Sequence, residues 1–152
     1  MAAFQFACYN GHNDVVKLLL DHQDSNIDLN ARNNDGFNAF MAACYNGHKD
    51  VVKLLLDHQD SNIELNARNN GGFTAFIVAC LMGHKDVVQL LLNHPERIDL
   101  NARTPTGLTA FLLACRQQHK DIVILLLEYS DIDTSGYDSL PQEMKDFIEL
   151  HR

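Results

Sequence analysis

The chain has 152 residues, of which 46% are hydrophobic and 21% are charged, a composition typical of a folded domain and too apolar for intrinsic disorder. Its net charge of −8 repels phosphate backbones, so nucleic acid is not an expected partner. No apolar run approaches the roughly 20 residues that span a bilayer, and the first residues lack the pattern of a secretory signal, so we expect no membrane association and a cytoplasmic location, with the nucleus left open.

The four cysteines mark an internal repeat. They are spaced by 36, 36 and 35 residues, and each lies four residues before a histidine. The first two copies are almost identical, because between residues 7 and 37 the following copy differs at only three positions. Such self-similarity at a fixed period indicates a stacked array in which each unit contacts its neighbours.

Each repeat predicts a helix, a tight turn, a second helix and a long loop. Asn38, Thr74 and Thr109 precede the first helices and offer side-chain oxygens to free amide groups, so they are predicted N-caps. Gly47 and Gly83 suit the left-handed conformation that ends a helix. The second helices carry a stripe of valine and leucine with an acid in the first turn, and we interpret the histidine at the start of each as structural.

The two ends of the array are predicted to differ from its middle. The chain opens at Ala3-Phe4, inside a first helix with no preceding turn, so we interpret the first repeat as incomplete and its outer side as partly open. At the other end Leu140, Met144 and Ile148 share one helical face, which indicates a C-terminal capping helix. Within a single domain over residues 1–152, the predicted boundaries are 1–30, 31–66, 67–101 and 102–134 for the repeats and 135–152 for the cap.

Four cysteines and eight histidines raise the question of a metal site. Equivalent positions of stacked repeats lie roughly 8–10 Å apart, whereas zinc ligands converge within about 2.3 Å of the metal and disulfides need Cα atoms about 4.4–6.8 Å apart. We therefore expect no metal, no cofactor and reduced, buried cysteines. Every candidate nucleophile or base recurs at the repeat period, as scaffold positions do, so we expect no catalytic residues and no enzyme.

The repeat resembles the ankyrin repeat family, and the likeness covers nearly the whole chain. The family unit of about 33 residues opens its first helix with T-P-L-H-x-A, and the third repeat has the similar stretch Thr74-Ala75-Phe76-Ile77-Val78-Ala79, followed by Gly83-His84. The resemblance implies an all-α fold, an ankyrin-repeat solenoid of stacked helix-turn-helix units joined by β-turn or hairpin loops.

Two features depart from the family pattern. Alanine stands at the signature proline, and Met41, Ile77 or Leu112 stands at its histidine, so hydrogen bonds expected from that histidine are absent or replaced. The loop after the second helix is also longer, around residues 59–62, which predicts a bulge into solvent at the far end of that helix.

The resemblance also implies a function, a non-catalytic scaffold that binds another protein. In ankyrin proteins the turn tips and the exposed side of the first helix line a concave groove, and Arg, aromatic and Met side chains are typical of interface hot spots. For Phe37 and Phe73 the alternative is that they cover helix ends. The candidate partner-binding residues are Tyr9, Arg32, Asn34, Phe37, Tyr45, Asn46, Arg68, Asn70, Phe73, Leu81, Met82, Arg103, Thr106, Leu108, Arg116 and Gln117.

The recurrence of Arg32, Arg68 and Arg103 at one turn position predicts a basic ladder. Because arginine binds carboxylates in bidentate fashion, this ladder favours an acidic, partly apolar partner segment. The alternative is that each arginine is held by a turn carboxylate such as Asp35 or Glu64 and only organises its loop.

We expect a monomer. Two other functions stay open: a structural element that self-associates end to end through the open first-repeat face, and a consensus-like sequence without an evolved partner.

Overall fold

A computed structural model describes residues 2–22, 27–58 and 62–152 of the chain. In these ranges the chain forms helices and no strand, which confirms the predicted all-α fold. The loop segment for which a bulge was predicted falls largely outside the described residues. The helices are α1 (Ala3–Asn10), α2 (Asn13–Asp21), α3 (Ala39–Tyr45), α4 (Lys49–Asp57), α5 (Ala75–Met82), α6 (Lys85–Leu92), α7 (Ala110–Arg116), α8 (Lys120–Leu127), a short 3₁₀ turn (Tyr137–Ser139) and α9 (Gln142–His151).

The helices form two parallel rows. The first helices of the repeats, α1, α3, α5 and α7, pack on one another in chain order, and the second helices α2, α4, α6 and α8 do the same. Each first helix also packs on the second helix of its own repeat. Their apolar faces join into one continuous core that runs the length of the array, as a stack of helix pairs requires.

The predicted N-caps begin the first helices of the second, third and fourth repeats. The side-chain oxygens of Asn38, Thr74 and Thr109 accept hydrogen bonds from the third backbone amide beyond them, at 2.9, 3.3 and 3.2 Å. All three cap residues are buried. Asn38 also donates from its side-chain amide to the carbonyl of Glu64, 3.0 Å away, so this cap links two repeats.

A histidine and a glycine fit together at each junction between first helices. The Nε2 atoms of His48, His84 and His119 lie 2.9, 2.8 and 2.9 Å from backbone carbonyls of the preceding repeat. Each ring lies over a glycine there: a Cβ on Gly83 would come within 2.7 Å of the ring of His119. These histidines therefore supply inter-repeat hydrogen bonds, whereas Met41, Ile77 and Leu112 at the signature position are buried in the core.

An asparagine in each long loop locks that loop to the next one. The side-chain amide of Asn66 donates to the carbonyl of Arg97, and its oxygen accepts from the amide of Asp99, both at 2.9 Å. Asn30 and Asn101 make the equivalent pairs of bonds at 2.7 and 2.8 Å. The loops are therefore held in a fixed register, which sets the spacing of the turn tips above them.

The helix α9 covers the far end of the second-helix row. It packs on α8 and buries Met144 and Ile148, as expected of a capping helix, while Tyr137 donates a hydrogen bond to Glu149 at 2.8 Å. None of the helices in the described ranges is long and apolar enough to span a lipid bilayer.

Candidate functional site

The ends of the first helices carry a row of exposed side chains. Tyr9, Tyr45 and Met82 are 44%, 36% and 40% exposed, and Leu81 beside Met82 is half-buried. In the fourth repeat the same positions hold Arg116 and Gln117, both exposed. Because α1, α3, α5 and α7 stack in order, these positions recur from one repeat to the next. We call this row, with the turn tips beside it, the groove surface.

Apolar side chains of the turn tips pack beside this row and against the core. The ring of Phe37 lies 5.4 Å from that of Tyr45 at an interplanar angle of 78°, an edge-to-face geometry that aromatic pairs prefer. Phe37, Phe73 and Leu108 are each half-buried against the core. Phe37 thus makes the contact of the helix-covering alternative, and it also fixes the orientation of Tyr45.

The three recurring arginines donate hydrogen bonds to backbone carbonyls of the next loop or of their own turn. A guanidinium nitrogen of Arg32 donates to the carbonyl of Arg68 at 2.6 Å, and one of Arg68 donates to the carbonyls of Gly72 and Arg103, both at 2.7 Å. Arg103 donates to the carbonyl of Gly107 at 2.8 Å. Each side chain is exposed, and at least one nitrogen of each guanidinium donates to the backbone of a loop or turn.

Two of these arginines also meet a carboxylate. Arg32 lies 3.4 Å from Glu64 and Arg103 lies 2.7 Å from Asp133. Hydrogen bonds from Ser135, and then the charge of Arg103, hold the pKa of Asp133 below its usual value. The contact proposed for Asp35 is different, because its backbone carbonyl accepts from the amide of Asn70 at 3.0 Å. The loop-organising alternative therefore has direct contacts, and binding of a partner by the ladder stays a prediction.

Several polar candidates of the groove surface are also engaged inside the array. The side-chain amide of Asn46 donates to the carbonyl of Tyr9 at 3.2 Å, and that of Asn70 donates to the carbonyl of Asn34 at 2.8 Å. The hydroxyl of Thr106 lies 3.1 Å from that of Thr104. These bonds join neighbouring repeats and shape the turns. The exposed candidates without an internal side-chain hydrogen bond or ion pair in the described ranges are Tyr9, Asn34, Tyr45, Met82, Arg116 and Gln117.

A cavity at the end of the groove surface was not predicted from the sequence. It has a volume of about 120 Å³ and lies where the end of α7 meets the start of α9. Gln118 stands there at the position that is glycine in the other repeats and has φ 60°, a signal that could have pointed to an altered junction. The cavity is lined by Cys115, Arg116, Gln118, Lys120, Pro141, Glu143 and Met144.

The cysteines are core residues with weakly acidic thiols. Cys8, Cys44, Cys80 and Cys115 are buried and unbridged, and burial raises the pKa of Cys8 and Cys115 to about 12. Thiolates are therefore scarce at neutral pH, although the thiolate is the form that attacks electrophiles and binds metals. Within the described residues no group of three or more His, Cys, Asp or Glu side chains is placed to hold a metal ion.

Comparison with known families identifies the repeat. A family model for ankyrin repeats, three copies long, matches residues 1–69 and again residues 60–138. No curated protein is similar enough in sequence to count as a relative.

Proposed function

Because the chain belongs to the ankyrin repeat family, whose members generally act as protein-protein interaction modules, we propose that it is a non-catalytic scaffold that binds another protein along the groove surface. The observation that carries the proposal is the row of Tyr9, Tyr45 and Met82, exposed at adjoining positions near the ends of three successive first helices. A flat or concave row of aromatic and thioether side chains is a common protein-binding surface.

Differences between the repeats support the same surface. The first two copies differ at very few positions, the histidine recurs in all four repeats, and the side-chain helix caps recur in the second, third and fourth. The pair at the end of the first helix instead changes from Tyr45-Asn46 to Leu81-Met82 and then to Arg116-Gln117. Positions that vary while the framework stays constant are those that distinguish one partner from another.

The proposal is tested by affinity capture from cell extract followed by mass spectrometry. The wild-type chain is compared with the double variant Tyr45→Ser/Met82→Ser and with Leu150→Ser, a control that changes another exposed apolar residue, 80% exposed and on α9. We expect proteins that are captured by the wild type and the control and lost by the double variant. If all three chains capture the same proteins, the groove surface is not the binding site.

Self-association is a second candidate, favoured by the outer face of the first repeat. Phe6, Val15 and Leu18 on that face are 55%, 45% and 58% exposed. End-to-end stacking would need a free face on the fourth repeat, where α9 packs on α8, so contact between two first repeats is the form that the fold allows. Sedimentation velocity over a hundredfold concentration range tests it: self-association predicts a mass that rises with concentration and stays monomeric in Phe6→Ser/Leu18→Ser.

A consensus-like sequence without an evolved partner is the remaining alternative. It predicts that no captured protein responds to Tyr45→Ser/Met82→Ser and that the wild-type chain stays monomeric at every concentration. The capture and sedimentation experiments together therefore separate the three functions.

A further inference from the structure

The last first-helix junction of the array is built differently from the others. Gly11, Gly47 and Gly83 each lie under a histidine ring of the next repeat. Gln118 takes the glycine position in the fourth repeat with a positive φ of 60°, and the chain has no further histidine in the equivalent place. The cavity of about 120 Å³ opens at this junction and is bounded on its far side by Pro141, Glu143 and Met144 of the cap.

The charges at this cavity differ from those of the arginine ladder. Arg116 and Lys120 are exposed, and the guanidinium of Arg116 makes no hydrogen bond or ion pair within the described ranges. The ammonium group of Lys120 lies 5.2 Å from the ring centroid of Phe147, a contact that leaves its hydrogen-bond donors available. Two cations thus face one carboxylate, Glu143, among the lining residues. In a chain of net charge −8, this end of the groove surface is complementary to an anion.

The interior of the cavity is apolar and of the size of one side chain. Cys115 and Met144 are buried, and the thiol of Cys115 stays neutral because burial raises its pKa to about 12. An apolar protein cavity of about 150 Å³ holds one benzene molecule, so this smaller one suits a leucine, isoleucine, valine or methionine side chain.

We propose that this cavity anchors an acidic peptide segment of the partner: one aliphatic side chain enters the cavity, and a neighbouring carboxylate is bound by Arg116 and Lys120. The inference rests on the proposed function, and it specifies in which direction the partner segment lies along the groove surface. The acidic end of the segment lies at the fourth repeat, and its apolar residues continue over Met82 and Leu81 toward Tyr45.

The test uses a phage-displayed library of random 12-residue peptides, selected on the wild-type chain. We expect enriched sequences in which Asp or Glu adjoins an aliphatic residue. The best sequence is then synthesised with a fluorophore, and its Kd is measured by fluorescence polarisation. We expect Arg116→Glu to weaken binding at least tenfold and Arg116→Gln to weaken it less. Both variants should stay close to the wild type in melting temperature, because the exposed guanidinium of Arg116 makes no ion pair or side-chain hydrogen bond within the described ranges.

Two controls make the assignment specific. Lys85→Glu changes an exposed lysine of the second-helix row and is expected to leave Kd within twofold of the wild type. Replacing the peptide carboxylate by its amide should weaken binding to the wild type. The same replacement should cost a smaller factor in Arg116→Gln, where only Lys120 remains to bind the carboxylate, because the effects of two changes to an interacting pair are not additive.

The outcomes separate this inference from the function on which it rests. A library that yields no enriched peptide contradicts both. Enriched peptides without an acidic preference, or peptides that bind Arg116→Glu and Arg116→Gln as tightly as the wild type while losing affinity for Tyr45→Ser/Met82→Ser, leave the groove surface as a binding site and overturn the acidic anchor. Equal losses in Arg116→Glu and Lys85→Glu would show a general charge effect and would also overturn it.

Discussion

The outer side of the helix pair is exposed in the first repeat and covered by α9 in the fourth. Val15 of the first repeat is half exposed, whereas the equivalent Val51 and Val87 are fully buried, because α2 and α4 lie between them and the open side. At the other end α9 packs on α8 and buries Ile148. Identical residues thus differ in burial according to their neighbours, so the stability of each repeat depends on the repeat beside it.

The junction residues show the same contrast. The ring of His48 contacts a carbonyl of the first repeat at 2.9 Å, while the equivalent His12 is exposed and its ring forms no hydrogen bond with any residue of the described part. In the fourth repeat Gln118 replaces the glycine on which a further histidine would lie. Each of these interfaces therefore combines a glycine from one repeat with a histidine from the next; the histidine of the first repeat has no glycine to cover, and the fourth repeat has no glycine at this position.

The largest expected effect compares equivalent leucines of the middle and the open end. Leu55→Ala or Leu91→Ala, at fully buried positions, should lower the free energy of unfolding by about 2–5 kcal/mol through lost burial and a residual cavity. Leu19→Ala, at the partly buried equivalent, should cost about 1–2 kcal/mol because water already covers part of that side chain. Urea unfolding followed by circular dichroism measures all three, since the chain has no tryptophan.

An equal loss at Leu19 and Leu55 would contradict the comparison between the two regions. A loss below about 1 kcal/mol at both Leu55 and Leu91 would instead contradict the pairing of the second helices.

The capping helix provides the next test. Ile148→Asp places a carboxylate at a fully buried position against α8 and should lower the free energy of unfolding by about 2–3 kcal/mol, with detachment of α9 limiting the loss. The matched change Leu150→Asp, on the exposed side of the same helix, should stay within about 0.5 kcal/mol of the wild type. Similar melting temperatures for the two variants would show that α9 does not stabilise the fourth repeat.

Two glycines test the histidine contact directly. Gly83 and Gly107 both have positive φ, but a Cβ on Gly83 meets the ring of His119 whereas a Cβ on Gly107 meets no atom within 4 Å. Gly107→Ala should therefore cost only the left-handed strain of about 1 kcal/mol, and Gly83→Ala about 2–3 kcal/mol because the ring must also move. The comparison fails if the two alanines destabilise the fold equally in urea.

The smallest effect is kinetic and uses the buried thiols. Cys8 and Cys80 are both buried, and burial raises the pKa of each thiol, so alkylation requires local opening of the chain. Because the first repeat has a neighbour on one side only, it should open more often, and Cys8 should be labelled before Cys80. Iodoacetamide pulses with peptide mass spectrometry give the order, and labelling in urea provides the reference. Faster labelling of Cys80 would contradict the weaker first repeat.

Much of the fold follows from local sequence signals. Asn38, Thr74 and Thr109 were predicted as caps from their side chains and form the expected bonds, because capping involves residues three positions apart. Because the repeats are nearly identical in sequence, however, the sequence does not show which residues are exposed at the ends of the array. Leu18 and Leu54 lie in the same sequence context, yet only Leu18 is largely exposed, since burial depends on a helix of another repeat.

Local sequence signals predict less of the candidate site than of the fold. The recurrence of Arg32, Arg68 and Arg103 was visible in the sequence, but the bonds of Arg32 and Arg68 to carbonyls of the next loop and of Arg103 to Asp133 arise only when the loops stack. The cavity beside Arg116 likewise depends on where α9 packs. The sequence indicated which side chains lie at the turns and first-helix ends. Stacking of the repeats determines which of these side chains keep hydrogen-bond donors that no other residue uses.

The junction of histidine and glycine has a genetic consequence. A segment of 36 residues that begins anywhere inside the second repeat carries one histidine and one glycine of the junction type, His48 or His84 and Gly47 or Gly83, so it brings both halves of the contact with it. Unequal crossing-over between the near-identical copies can therefore lengthen or shorten the gene by one period without creating a mismatched junction. Insertion after Gln118 would lack that property, because its side chain occupies the place of the next imidazole. Changes in length are thus tolerated in the interior of the array, while the surface around Arg116 is passed on intact.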